Sequence, residues 1–541
     1  MGINIGDIVR GKIIDFTHEG NGVLKIDNFT VFVTGGVIGD EVVGKIDKIK
    51  KNFAIGSLVN IIEPSKDRIK LDFNIIEAKG GIPLIEYKYS KQLEWKKNKV
   101  KMDLEKIGGL ADVEVKDTIG MVYPFRYRNH VQIPVGEENG KTVIGFYEVN
   151  SNDIVDMDSS ILQPEIGNRV INIVRIWMNK YNVKAYDKRN KKGILRHIGI
   201  RVNRDNKAMI ILVTGSNRLP NEKELVKMLI EEDVISIYQN INKLNSSITY
   251  GKEYRKLYGK DRLLDYIGDY KFYLSPNSFF QVNRTQAEVL YNKVVEFLDS
   301  DKSDVIYDLY CGIGTISVYI ASNVEKVYGI EIVKEAIEDA KENAALNNID
   351  NTEFIVGKAE EVFPKLMKKG IKGNKVVLDP PRKGCEKEVL EAVVELNPEK
   401  VVYVSCNSAT MARDVKYLVE NGYKVEEVQP VDMFPHTVHV ETVVCLSRKN
   451  PDDRIEIDLS LDELDITTAE SKATYEEIKD YVLKNHSMKV SSLYISQVKR
   501  KLGLEIGTSY NLPKSEDARV PQCPLNKEKA ITEALNHFSM I

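Results

Sequence analysis

The chain has 541 residues, with 77 Lys and Arg against 80 Asp and Glu and a formal net charge of −3. That length exceeds what one hydrophobic core organises, so several domains of ordinary globular composition are expected. No apolar run approaches the roughly 20 residues that cross a bilayer. The first residues lack the basic and apolar regions of a signal peptide, and the five cysteines form no C-x-x-C pair. Membrane-spanning and cysteine-framed metal proteins are set aside, and a cytoplasmic location with no metal site is expected.

Residues 3–63 read as short strands broken by glycine: Ile8-Val9-Arg10-Gly11-Lys12-Ile13-Ile14, then Gly22-Val23-Leu24-Lys25-Ile26, then Thr30-Val31-Phe32-Val33. Turns at Gly35-Gly36 and Gly39-Asp40 and a further alternating segment over residues 41–49 complete the pattern of a small β-barrel. Barrels of this size commonly bind RNA, but a fold alone does not establish function. Residues 90–108 read as a basic helix. Residues 112–275 read as mostly strands, with Val131-Gln132-Ile133-Pro134-Val135 and Val170-Ile171-Asn172-Ile173-Val174 as the clearest cases.

From Met178 to Lys207 there are ten Lys or Arg against two Asp, with Tyr181 and Tyr186 interleaved. Such a stretch is either a phosphate-binding surface or a solvated loop between strands. An amphipathic helix over residues 285–300 carries Ala287, Val289, Leu290, Val294, Phe297 and Leu298 on its apolar face. Residues 304–448 then alternate strand and helix, as doubly wound α/β domains do. Residues 450–465 read as an acidic linker, followed by short helices over 475–484 and 491–501.

The α/β region holds the residues with chemistry. Val305-Ile306-Tyr307-Asp308-Leu309 reads as a buried parallel strand leading into Cys311-Gly312-Ile313-Gly314. Glycines there let a ligand approach the backbone of a helix start. A second strand ends in Glu331, about 20 residues on, where this fold places an acid for ribose hydroxyls. Ser317 stands at the third position of a G-x-G-x-x-G, which favours S-adenosylmethionine over a dinucleotide. Asp379-Pro380-Pro381 stiffens a loop at the ligand-binding edge, and Arg382 after it departs from the aromatic residue usual in enzymes that methylate exocyclic amines. Cys406, flanked by Ser405 and Asn407, ends the next strand. A thiolate there could add to a ring carbon and make its neighbour enolate-like. Glu441, at the start of the final strand, reaches the same edge if that strand runs antiparallel, and is the candidate base.

Ser278-Phe279-Phe280-Gln281-Val282-Asn283, Asp308-Leu309-Tyr310-Cys311-Gly312, Asp379-Pro380-Pro381-Arg382, Ser405-Cys406-Asn407, Asp432-Met433-Phe434-Pro435-His436-Thr437 and His439-Val440-Glu441-Thr442 together resemble the RNA uracil-5-methyltransferase family. The resemblance spans about residues 3–448. It implies a TRAM-type, OB-like RNA-binding barrel over 1–63 and a central β-rich RNA-binding domain over 64–270. It also implies a Rossmann-like S-adenosylmethionine methyltransferase domain over 271–449. An acidic linker and helical extension of unassigned role would occupy 450–541. Cys406 would be the nucleophile and Glu441 the base. Gln281, Tyr310, Glu331 and Asp379 would line the cofactor pocket, with Gln281 and Asp379 near the uracil edge as well. The implied substrate is RNA, with 23S ribosomal RNA preferred to transfer RNA. The alternative from another class is a non-catalytic RNA-binding or RNA-folding factor.

Many members of the family carry an iron–sulfur cluster, with ligands in a C-x5-C-G-G-C run and a fourth cysteine later. In the aligned run, Phe73, Lys79 and Ile82 stand where three cysteines would be, and Ser160 stands near the fourth. Those side chains offer no thiolate, so no cluster is expected. Beyond the resemblance, residues 491–501 look like a recognition helix after a short first helix. They read equally as part of a small helical appendage, and the extension as a whole is net acidic.

Overall fold

The computed structural model describes residues 3–70, 81–148, 151–187, 190–244, 248–449, 475–486, 488–502, 504 and 523–538. The chain divides into two compact units, Met1–Asp453 and Arg454–Ile541. Strands Ile8–Lys12, Asp15–Phe16, Gly22–Ile26, Phe29–Thr34, Glu41–Ile49 and Phe53–Glu63 form one six-stranded sheet. Alternation sends Leu24, Val31, Val33, Val42, Ile46 and Ala54 into one small core. The Ile14 N–H donates to Val23 O at 2.8 Å, so the sheet curls around that core.

The central region is a seven-stranded sheet whose middle strands are Ala208–Thr214 and Leu195–Val202. Helices Glu165–Lys180 and Glu222–Ile230 pack on it. Every residue of Ala208–Thr214 is buried. Ile210 and Leu212 share a core with those two helices, whereas Met209, Ile211 and Val213 join the core of the catalytic region. A strand covered on both faces reads as an unbroken apolar run.

Two expectations need correction. Val170–Val174 is helical, not extended. Ile166, Val170, Val174, Trp177 and Met178 recur at helical spacing and are all buried. The β-branched residues hid that period. The basic stretch is only partly a surface. Arg196 and Arg201 are buried, Arg196 donating to Asn242 O at 2.5 Å and Arg201 to Ser278 O. Lys207 pairs with Asp233, and Arg204 lies 3.9 Å from the Tyr266 ring centroid. Lys180, Lys191 and Lys192 remain exposed, while Lys188 and Arg189 lie outside the described residues.

The α/β region has strands β1 (Val305–Leu309), β2 (Lys326–Glu331), β3 (Thr352–Val356), β4 (Lys375–Leu378), β5 (Lys400–Ser405), β6 (Tyr423–Val431) and β7 (Glu441–Arg448). Their order is β3-β2-β1-β4-β5-β7-β6. The first five are parallel, and β7 runs antiparallel between β5 and β6. The strand order reverses between β1 and β4, which opens a crevice at their carboxyl ends. Helix Arg284–Leu298 packs on this sheet.

Phe73, Lys79 and Gly80 lie outside the described residues. Ile82 packs with Tyr127 and Leu162, and buried Ser160 accepts from Leu162 N–H at 3.1 Å. The 450–465 segment is likewise outside them. The second unit forms helices Tyr475–His486, Ser492–Lys501 and Leu525–His537 around Ile478, Val482, Ile495, Val498, Ile531 and Leu535. The last of these helices adds to the two expected. Among the described residues no helix is long and apolar enough to cross a membrane.

Candidate active site

Five of the six residues named from sequence line up across the sheet. Glu331 ends β2, Tyr310 follows β1, Asp379 follows β4, Cys406 follows β5 and Glu441 begins β7. Ser405 pairs with Thr442 across the antiparallel β5–β7 ladder, so the next pair outward is Cys406 beside Glu441. The sixth, Gln281, is buried just before helix Arg284–Leu298, and its carbonyl accepts from Asn129 Nδ2 at 2.9 Å.

The turn after β1 is sharply held. Tyr310 adopts φ 70°, uncommon for a bulky residue, and its N–H donates to Ile330 O at 2.9 Å. Gly312, at φ 55°, has open space where a Cβ would stand. Glu331 reaches back, accepting from Gly312 N–H at 3.3 Å and from Val333 N–H at 2.9 Å. Exposed Ile332 adds an apolar surface beside it. Asp308 is fully buried. One oxygen accepts from Ser317 Oγ at 2.5 Å and the other has no donor. Burial raises this carboxyl to about 6. The open glycine turn and the acid at the end of β2 fit S-adenosylmethionine.

The Cys406 turn is built by its neighbours. Ser405 Oγ accepts from Asn407 N–H at 3.0 Å, and Asn407 Oδ1 caps the next helix through Ala409 N–H. Asn407 Nδ2 donates to Arg382 O at 3.1 Å, tying the Pro-Pro-Arg loop to the cysteine. Burial, then Glu441 and Asp379, push the Cys406 thiol up to about 11, and Arg382 opposes them. Glu441 is raised to about 8 by burial and then Asp379, again opposed by Arg382. Asp379 is raised to about 7 by burial and then Asp308. Burial in the crevice therefore favours the neutral thiol and shifts both carboxyls toward their neutral forms.

The loop leading to Glu441 is clamped from elsewhere in the chain. Lys96, on helix Tyr89–Asp103, donates to Asp432 at 2.5 Å and to Phe434 O at 3.1 Å, and both ion-pair partners are fully buried. Tyr89 OH donates to the other Asp432 oxygen at 2.8 Å. Gln92 accepts from the His436 N–H at 3.1 Å. Sequence reasoning missed Lys96, Gln92 and the donorless oxygen of buried Asp308. It noted Arg382 but did not place it against the thiol.

The raised carboxyls carry a stability consequence. Folded Glu441 keeps its proton to about pH 8, whereas an unfolded glutamate loses it near its ordinary value of 4.5. The unfolded chain thus binds fewer protons across that window, and stability falls as pH rises through it. Glu441→Gln is neutral throughout. Its melting temperature without ligand should match wild type near pH 4.5 and exceed it by roughly 3 °C above pH 8. Equal differences at both pH values would contradict the assignment.

This sheet order, crevice and turn define a nucleotide-cofactor methyltransferase fold. The sequence signature of tRNA (Uracil-5-)-methyltransferases matches residues 253–449. An RNA methyltransferase of Clostridium tetani is 50% identical over 432 residues, covering 79% of this chain and 94% of that one. One of Clostridium acetobutylicum is 47% identical over 441 residues, covering 81% and 96%. The crystal structure of the Pyrococcus abyssi tRNA (uracil-54, C5)-methyltransferase with S-adenosyl-L-homocysteine superposes with a TM-score of 0.65 at 29% identity. It covers 81% of this chain and 100% of that one. The chain belongs to the S-adenosylmethionine-dependent RNA (uracil-5-)-methyltransferase family.

Proposed function

We propose that this chain methylates uracil C5 in large-subunit ribosomal RNA, with Cys406 as nucleophile and Glu441 as base. The observation that carries the reading is the Cys406–Glu441 juxtaposition at the β5–β7 edge, beside Asp379 and Arg382. S-adenosylmethionine, when bound, supplies an electrophilic methyl group on a positive sulfonium. Cys406 gives its proton to solvent and its sulfur adds to uracil C6, and the C5–C6 π pair moves into an enolate. Arg382 favours the thiolate electrostatically. C5 then takes the methyl group. Glu441 removes the C5 proton, the C5–C6 double bond re-forms, and the C6–S bond breaks to return the thiolate. Gln281, Tyr310, Glu331 and Asp379 are assigned to the cofactor pocket, with Gln281 and Asp379 near the uracil edge as well. A base inside a helix cannot reach a crevice of this kind, so the target uridine is flipped out.

Residues 3–63 are assigned as the TRAM-type RNA-binding barrel and the central sheet as a second RNA-contacting domain. The six-stranded curled sheet supports the first assignment. Ribosomal RNA is preferred because bacterial transfer-RNA enzymes of the family look shorter and without that barrel. The Pyrococcus abyssi enzyme favours the second reading, transfer RNA. Its target is uracil 54 of transfer RNA, and its whole chain superposes on 81% of this one. Labelled methyl transfer to unmodified large-subunit RNA fragments and to unmodified transfer RNA decides between them. The ribosomal reading expects the fragments to be methylated efficiently. It also expects deletion of residues 1–63 to cost that activity far more than cofactor binding. Efficient methylation of transfer RNA alone would establish the second reading.

The purified protein is expected to be colourless and free of stoichiometric iron, since Phe73, Lys79, Ile82 and Ser160 hold no thiolate. Anaerobic purification with iron and sulfide analysis tests this. One cluster per chain would show the ligands to lie elsewhere.

A further inference from the structure

The chemistry above uses nothing beyond residue 449, yet the C-terminal unit has its own core and a cationic cavity. Lys489, Val490, Ser491, Leu493, Tyr494 and, from the last helix, Lys527 line an open cavity of about 360 Å³. No carboxylate is among them. Lys527 Nζ donates to Lys489 O at 2.8 Å and stands 5.7 Å from the Tyr494 ring centroid, so ammonium and ring share one wall. Lys489 is exposed on the rim, and Leu493 and Val490 supply aliphatic surface. Glu528, one residue after Lys527, is taken by Lys501 at 2.5 Å.

This combination suits one chemistry. Ammonium groups attract phosphates as point charges. A tyrosine ring stacks with a base of any identity, the arrangement by which single strands are held. The volume lies in the range of sites that take small ligands or one monomer unit of a larger one. We propose that the C-terminal unit is a second RNA-binding module. It takes an unpaired nucleotide with the phosphate between Lys489 and Lys527 and the base against Tyr494. The choice of RNA as occupant rests on the reading of this chain as an RNA methyltransferase.

The test is binding of the full chain to a short, labelled, mixed-sequence single-stranded RNA, read by anisotropy over a salt series. Lys489→Gln with Lys527→Gln should weaken binding about fivefold to tenfold. It should also make the slope of log affinity against log salt shallower by about 0.7, one phosphate neutralised on a single strand. Lys489→Arg with Lys527→Arg should restore both. Tyr494→Leu should weaken binding about fivefold while leaving the slope unchanged. Melting curves verify folding, and cofactor affinity should not move. Wild-type affinity and slope in both the Gln and Leu variants would overturn the proposal in favour of a protein-docking face. Binding is read without turnover, so failure to methylate any RNA would count against the methyltransferase reading and not against this site.

Discussion

Cys406→Ala should lower methyl transfer by roughly 10³-fold or more while leaving RNA affinity within about twofold. On the proposed mechanism the thiol supplies the covalent activation of C5, and no other cysteine stands in its place. Cys385 and Cys445 are buried, with thiols raised to about 12 and about 11 by burial, and Cys311 is buried as well. The proposed RNA-contacting domains lie outside the Cys406 turn, so binding and turnover should separate. Single-turnover transfer of labelled methyl, with anisotropy for binding, measures both. Turnover near wild type would remove the covalent mechanism.

Glu441→Gln should stall the reaction one step later. Addition at C6 and methylation at C5 need no base at that position, but the C5 proton then stays and the C6–S bond cannot break. A protein–RNA adduct resistant to denaturant should accumulate to near stoichiometry, with multiple turnover down roughly 10²-fold or more. In the wild type, kcat, which includes the elimination step, should rise with pH as the Glu441 carboxylate forms. The variant should lack that rise. Normal turnover without an adduct would take Glu441 out of the mechanism.

The catalytic half of the fold was legible because its signals are local. An apolar run ending in Ser405-Cys406-Asn407 marks a buried strand breaking at a sheet edge, and Asp379-Pro380-Pro381 marks the neighbouring edge. Placing Glu441 there required one guess, that the last strand is antiparallel, and the Ser405–Thr442 pairing bears it out. Local signals fail where burial is decided at long range. Lys96 is one lysine in a basic helix until Asp432, 336 residues away, closes a buried pair with it. Arg196 and Arg201 looked like surface charge because nothing nearby in sequence shows that their strand is covered on both faces. Val170 and Val174 looked extended because β-branched residues favour strands, and packing against the sheet overrode that preference. The unsatisfied oxygen of Asp308 has no sequence signature at all.

The central claim, covalent attack by Cys406 at uracil C6, is tested most directly with RNA carrying 5-fluorouracil at the target position. Fluorine cannot be removed from C5 as a proton can, so elimination is blocked after methylation. Incubation with S-adenosylmethionine should give a one-to-one protein–RNA complex that survives denaturing electrophoresis. Digestion and mass spectrometry should place the link on Cys406, and Cys406→Ala should give none. A complex that fails to form with a substrate RNA the enzyme otherwise methylates, or one that persists in Cys406→Ala, would contradict the mechanism.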